Sequence, residues 1–184
     1  MRMALKGFSA GLLTMLAFGC GTRVDPGTSD ERGSLHARVE GAMADFQATD
    51  PSLKTLLNSA QAYVIFPNVI SAAIVIGGAH GRGEAYEKGQ LAGYSDISQG
   101  SVGAQLGGQG FAELIVFQTH SAFVDFTQGT LEFDARATAV AASSGAATSA
   151  DYRRGVVVFT LPQGGLMAQA AIGGQKFRFT PVAP

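Results

Sequence analysis

Tryptophan is absent from the chain and cysteine occurs once, at Cys20. A lone cysteine cannot close an intramolecular disulfide or build a multi-cysteine metal site. Histidine is scarce as well. His36, His80 and His120 lie 44 and 40 residues apart, which is no metal-ligand spacing. There is no long basic run and the net charge is −1, which speaks against a nucleic-acid partner. Ser101 directly follows its glycine in GSVG (100–103), so the nucleophile elbow G-x-S-x-G is missing. These absences leave no local support for an enzyme, a metal or a cofactor.

What is abundant is apolar residues, at 46%, and glycine, at 25 of 184 residues. The first suits one packed domain. The second is well above the average of about 7% and needs a cause.

The first twenty residues read as a targeting segment. MRMALK carries Arg2 and Lys6, and GFSAGLLTMLA is an apolar stretch of 11 residues, too short to span a bilayer, which takes about 20. Cys20 follows in AFGC. Small residues before a single cysteine after such a stretch resemble a bacterial lipobox. That resemblance implies cleavage before Cys20, then acylation by diacylglycerol and a fatty acyl chain such as palmitate. The departure is Ala17 where leucine is usual, with Leu16 one place early. Gly21, rather than aspartate, follows the cysteine, which by the same analogy implies the outer membrane, facing the periplasm. Residues 1–19 are thus expected to be a signal peptide. The mature chain would have 11 basic against 14 acidic residues, a formal charge of −3.

Residues 20–33 are polar, with Gly and Pro, and predict a flexible tether to a domain over 34–184. Ser34 is placed to cap a first helix whose apolar stripe is Leu35, Val39, Met43 (or Ala42) and Phe46. Asp50-Pro51 predicts the start of a second helix, with Leu53, Leu56, Leu57 and Ala60 on its apolar side. Strand patterns follow: 62–66, stopped by Pro67, then 71–87, 91–98, 101–110 and 111–118. A short helix over 119–129, ended by Gly129, interrupts them. Strands over 131–143, 156–161, 166–172 and 176–181 complete the series.

VIGGAHGRGEAY (75–86) is the stretch that most invites a functional reading. Its glycines, Gly77, Gly78, Gly81 and Gly83, fall in the wrong order for a dinucleotide fingerprint, and no helix pattern follows to receive a phosphate. Alternation fits better. Ala79, Gly81, Gly83 and Ala85 form a small-residue face, while His80, Arg82, Glu84 and Tyr86 form a polar one. This predicts a long curved strand. The fold class expected is α+β: N-terminal helices, then a strongly curved, mostly antiparallel sheet or barrel-like domain with one short inserted helix.

YVIFPNVISAAIVIGGAHGRGEAY, GYSDISQGSVGAQLGGQGFAELIVFQTHSAFVDF (93–126) and GGLMAQAAIGGQKF (164–177) together resemble the SYLF-domain family, over roughly residues 60–180. Leu131-Glu132-Phe133-Asp134 departs from it, keeping the family's Asp but losing its Trp and Gly. The resemblance implies a lipid-binding module, commonly exported or lipid-anchored in bacteria. Inositide specificity is not implied, because the two helices offer only Arg38 and Lys54 as cations, and actin has no place in a bacterial envelope. The cations available to a headgroup are Arg38, Lys54, His80, Arg82 and Lys88, although His80, Arg82 and Lys88 also fit a solvated strand face and an exposed turn. Two functions remain open: binding of phospholipid or another amphiphile, and a structural or interaction role at the outer membrane without specific lipid binding. The protein partner in the second case is unknown.

Overall fold

The computed structural model describes residues 25–72, 76–102, 109–131, 140–149, 152–163 and 174–182. Cys20, residues 132–139 of one expected strand and the expected strand 166–172 lie outside them. The described chain is α+β, with a seven-stranded sheet in the order β5-β6-β4-β1-β2-β3-β7. The strands are β1 Ala62–Ala72, β2 Ile76–Glu87, β3 Gln90–Val102, β4 Gln109–Phe117, β5 Val140–Ala141, β6 Val156–Gln163 and β7 Gln175–Pro181. All neighbours pair antiparallel except β5 and β6, which are parallel.

The first helix, α1, spans Ser29–Thr49 and not the expected start after Ser34. Thr28 and Glu31 form a reciprocal capping box, and Arg32 adds a two-pronged bond to Asp25 at 3.0 and 2.7 Å. The capping box satisfies the first turn, so a polar segment that reads as tether becomes helix. The buried stripe is Leu35, Val39, Ala42 and Phe46, as the spacing predicts, with Ala42 rather than Met43 innermost. The second helix, α2, is Leu53–Ser59, starting two residues after Pro51. The third, α3, spans His120–Thr127 and stops before Gly129, whose φ of +71° suits glycine.

Three strand expectations are corrected. The pattern over 71–87 is not one strand: residues 71 and 72 end β1, and β2 begins at Ile76 and pairs antiparallel with β1. Pro67 does not end β1, because a register shift between Ile65 and Val69 takes the residue that cannot donate out of the ladder. Residues 90–102 form one long strand instead of two.

Both faces of the sheet are covered, which explains why strands such as FAELIVF do not alternate cleanly. One face carries Val64, Phe66, Phe111, Ile115, Phe117 and Phe177 against Phe123 and Phe126 of α3. The other carries Ile65, Leu114, Val116, Val157 and Phe159 against the α1 stripe. The sheet is strongly curled toward α3. Phe66 and Phe177 stack at 6.1 Å between centroids, although β1 and β7 stand three strand spacings apart, about 14 Å in a flat sheet. The curl stops short of closure: β5 and β7 remain edges, so the described strands form an open sheet and not a barrel.

Asp50 fastens the helical corner to a distant loop. Its fully buried carboxylate accepts from the Ser52 N–H and Oγ, from the Gly145 N–H at 3.0 Å and from the Ala147 N–H at 2.8 Å, beside the 3-10 helix Ala146–Ser149. Burial alone would push this acid up. The bonds from Ser52, Ala147 and Gly145 outweigh it and hold the pKa below the ordinary carboxylate value. An amide cannot accept at both oxygens, so Asp50→Asn is expected to cost about 2 kcal/mol. The cost should be present above about pH 4, where the unfolded carboxyl ionises, and fade as pH falls through the lower native pKa. Urea melts at pH 7 and pH 3 check this, and an unchanged midpoint at pH 7 would refute it.

Candidate functional site

Strand alternation places the cations of β2, and register decides what they meet. Ile70, His80, Ser98 and Lys176 stand directly across one another on β1, β2, β3 and β7. The next row is Arg82, Asp96 and Arg178. The row after that is Glu84, Tyr94 and Thr180, and here α1 lies over the sheet: Glu84 and Tyr94 are buried. Opposed residues of an antiparallel sheet share a face, so all three rows project to the convex, α1 side. The helix covers the third row and leaves the first two bare. Asp96 bonds Arg82 Nε at 3.2 Å and lies 3.4 Å from Arg178 Nη2. His80, Lys176 and Arg178 are exposed, and Ile70 is 56% exposed.

Lys54 and Lys88 meet elsewhere. A groove of about 440 Å³ opens between α1, α2 and the β2–β3 turn, with Met43, Leu57, Ala62 and Tyr63 along it and both lysines lining it. Lys88 sits in the turn at φ +50°, a conformation few side-chain-bearing residues adopt. Neither lysine has an ion-pair partner among the described residues. The five cations expected from the sequence therefore separate. His80 joins Arg82 on the bare face, Lys54 joins Lys88 in the groove, and Arg38 stands apart, bonded to Ser34 Oγ at 2.6 Å. Lys176 and Arg178 were not among the expected residues, although the alternation in KFRF already puts both on one face.

One polar network had no local signal. Glu84, 1% exposed, accepts from the Tyr86 hydroxyl, and its Oε2 lies 3.0 Å from His36 Nδ1 on α1, 48 residues away in sequence. Tyr86 stacks on Tyr63 at 4.9 Å. The bond to Glu84 raises the His36 pKa, with the charges of Glu84 and Glu40 adding to it. Burial, then the Glu84 bond and charge, push the Tyr86 hydroxyl up, so it stays a donor. The network gives the buried Glu84 side chain its hydrogen-bond partners under α1 and fixes the helix to the sheet. Among the described residues no cluster of three or more metal-ligating side chains occurs, and no helix is long and apolar enough to cross a membrane.

No protein-family model matches the chain, and no curated protein matches its sequence.

Proposed function

We propose that the chain is a lipid-anchored protein of the bacterial envelope whose SYLF-like domain binds phospholipid or another anionic amphiphile. The observation that carries this reading is the groove: Met43, Leu57 and Tyr63 line it together with Gln47 and Asn58, and two lysines without ion-pair partners among the described residues stand beside them. An acyl chain would lie along Met43, Leu57 and Tyr63, with a phosphate or carboxylate held between Lys54 and Lys88. Apolar surface supplies the affinity and the charges fix the orientation. The lipobox-like Cys20 supports the anchor, and the quoted motifs support the family.

The test uses the chain with Cys20→Ser, which is expected to leave the membrane fraction. Native mass spectrometry of this soluble form should then show co-purified lipid, and it should float with liposomes. Lys54→Glu with Lys88→Glu should weaken binding of a fluorescent fatty acid at least about tenfold, about 1.4 kcal/mol. Absence of both lipid and flotation, together with a stable protein partner in a pull-down, would overturn the proposal in favour of an interaction protein of the outer membrane.

A further inference from the structure

The bare basic rows of the sheet lie beside the point where the chain enters the domain. Arg32, in the first turns of α1, bonds Asp25 and sits 5.9 Å above the Tyr94 ring. Tyr94 belongs to the row next to Arg82, Asp96 and Arg178. The entry point at Asp25 is thus at the border of the basic face. From Asp25 back to Cys20 is five residues, a reach of at most about 18 Å. An acyl anchor on Cys20 would therefore hold this face close to the membrane surface.

The face has the chemistry of a surface that meets anionic headgroups. Among the described residues Arg82, Arg178 and Lys176, with His80 beside them, share the face with one acid, Asp96, whose side chain is 17% exposed between the two guanidinium groups. Ile70, the large hydrophobic residue that is exposed among the described residues, lies at the end of the row of His80, Ser98 and Lys176. Although the mature chain carries a net negative charge, Arg82, Lys176 and Arg178 are gathered on this face. In the covered third row Glu84 is buried beneath α1, and the Asp25 carboxylate at the border is paired with Arg32.

We propose that this basic face docks on the anionic headgroups of the leaflet in which acylated Cys20 is anchored, so that the domain lies on the membrane in one orientation. The proposal rests on the acylation reading above but not on the groove. It leaves the concave, α3 side turned away from the bilayer.

The experiment uses the full acylated chain, its mass verified, in vesicles of phosphatidylglycerol with phosphatidylethanolamine, and in vesicles of phosphatidylcholine alone. A fluorophore is placed by Ser98→Cys on the basic face, or by Gln128→Cys just after α3, and quenched by nitroxide-bearing lipid. The Ser98 probe should be quenched on the anionic vesicles, well beyond the Gln128 probe, and much less on phosphatidylcholine. Each cation removed from an anionic surface weakens contact about fivefold. Lys176→Gln with His80→Gln, which leaves both Asp96 pairs intact, should therefore reduce quenching. Adding Arg82→Gln and Arg178→Gln should bring it to the Gln128 level while the acyl chains keep the protein on the vesicle. Equal quenching of the two probes, or equal quenching on both vesicle types, overturns this proposal alone. A mass without acyl groups overturns both it and the anchor reading.

Discussion

Gly83→Val is expected to abolish the native fold: the variant should be recovered as insoluble protein, or melt without a cooperative transition. A Cβ at this position would stand 2.2 Å from the Ile65 carbonyl oxygen and 2.7 Å from the Phe66 ring. The oxygen belongs to backbone of a central strand and cannot rotate away, so β1 and β2 would have to separate where the sheet curls and the register shifts. Overpacking of this kind costs about 3 kcal/mol or more, a large part of the whole stability of a domain. Even Gly83→Ala should show most of the loss. Gly41→Ala is the contrast, since nothing lies within 4 Å of its Cβ on α1 and helix propensity favours alanine by about 1 kcal/mol. If Gly83→Ala and Gly41→Ala shift the thermal midpoint equally, the close-approach explanation of the glycine-rich strand is wrong. Gly93 repeats the arrangement on β3, where a Cβ would stand 2.4 Å from the Thr180 oxygen and 2.6 Å from the Phe179 ring. Gly83 and Gly93 are thus required by the close approach of neighbouring strands, which agrees with the glycine order that ruled out a phosphate loop.

What was readable in the sequence was whatever depends on near neighbours. The two faces of residues 79–86 follow from alternation, and the register then carries His80 and Arg82 onto a shared surface with Arg178. The stripe of α1 follows from its spacing. The start of that helix was also written locally, as Thr28-x-x-Glu31, but Gly27, Gly33 and the polar first turn give the segment the composition of a linker. Pro67 misleads for a similar reason. Proline ends a regular ladder, yet β1 carries it at an irregularity created by pairing with two neighbours at once. The groove and the Glu84–His36 bond depend on contacts between residues 34 and 48 positions apart, and no window of sequence contains them. Glu113 is hardest to read. In FAELIVF it looks like the exposed residue of a strand, whereas both faces of β4 are buried and it has nowhere polar to point.

That residue gives the second large effect. Glu113→Gln is expected to stabilise the protein at pH 8 and to leave it nearly unchanged at pH 4. Glu113 is fully buried on the concave face, where the curl brings β7 across to β4. Its Oε2 accepts from Gln175 Nε2 at 2.9 Å, and neither its Oε1 nor Gln175 Oε1 has a hydrogen-bond partner among the described residues. Burial pushes its pKa up to about 7, and the single bond from Gln175 only partly opposes this. The native state therefore holds a proton that the unfolded chain releases near the ordinary glutamate value. Stability from this group is fully present below that value, falls as pH rises toward 7, and is level above it, a loss of roughly 3 kcal/mol. His36 acts with the same sign at higher pH, because its native pKa is also raised. Asp50 acts with the opposite sign in acid. Together these place the stability maximum on the mildly acidic side of neutral. Glutamine keeps the shape and the bond to Gln175 without a charge to bury, so it should remove the Glu113 slope and raise the thermal midpoint at pH 8 by roughly 5–10 °C. Melting curves of both chains between pH 4 and pH 9 decide the matter. If the two profiles run parallel, Glu113 is ionised in the native state, and some group must then stabilise its charge within the sheet.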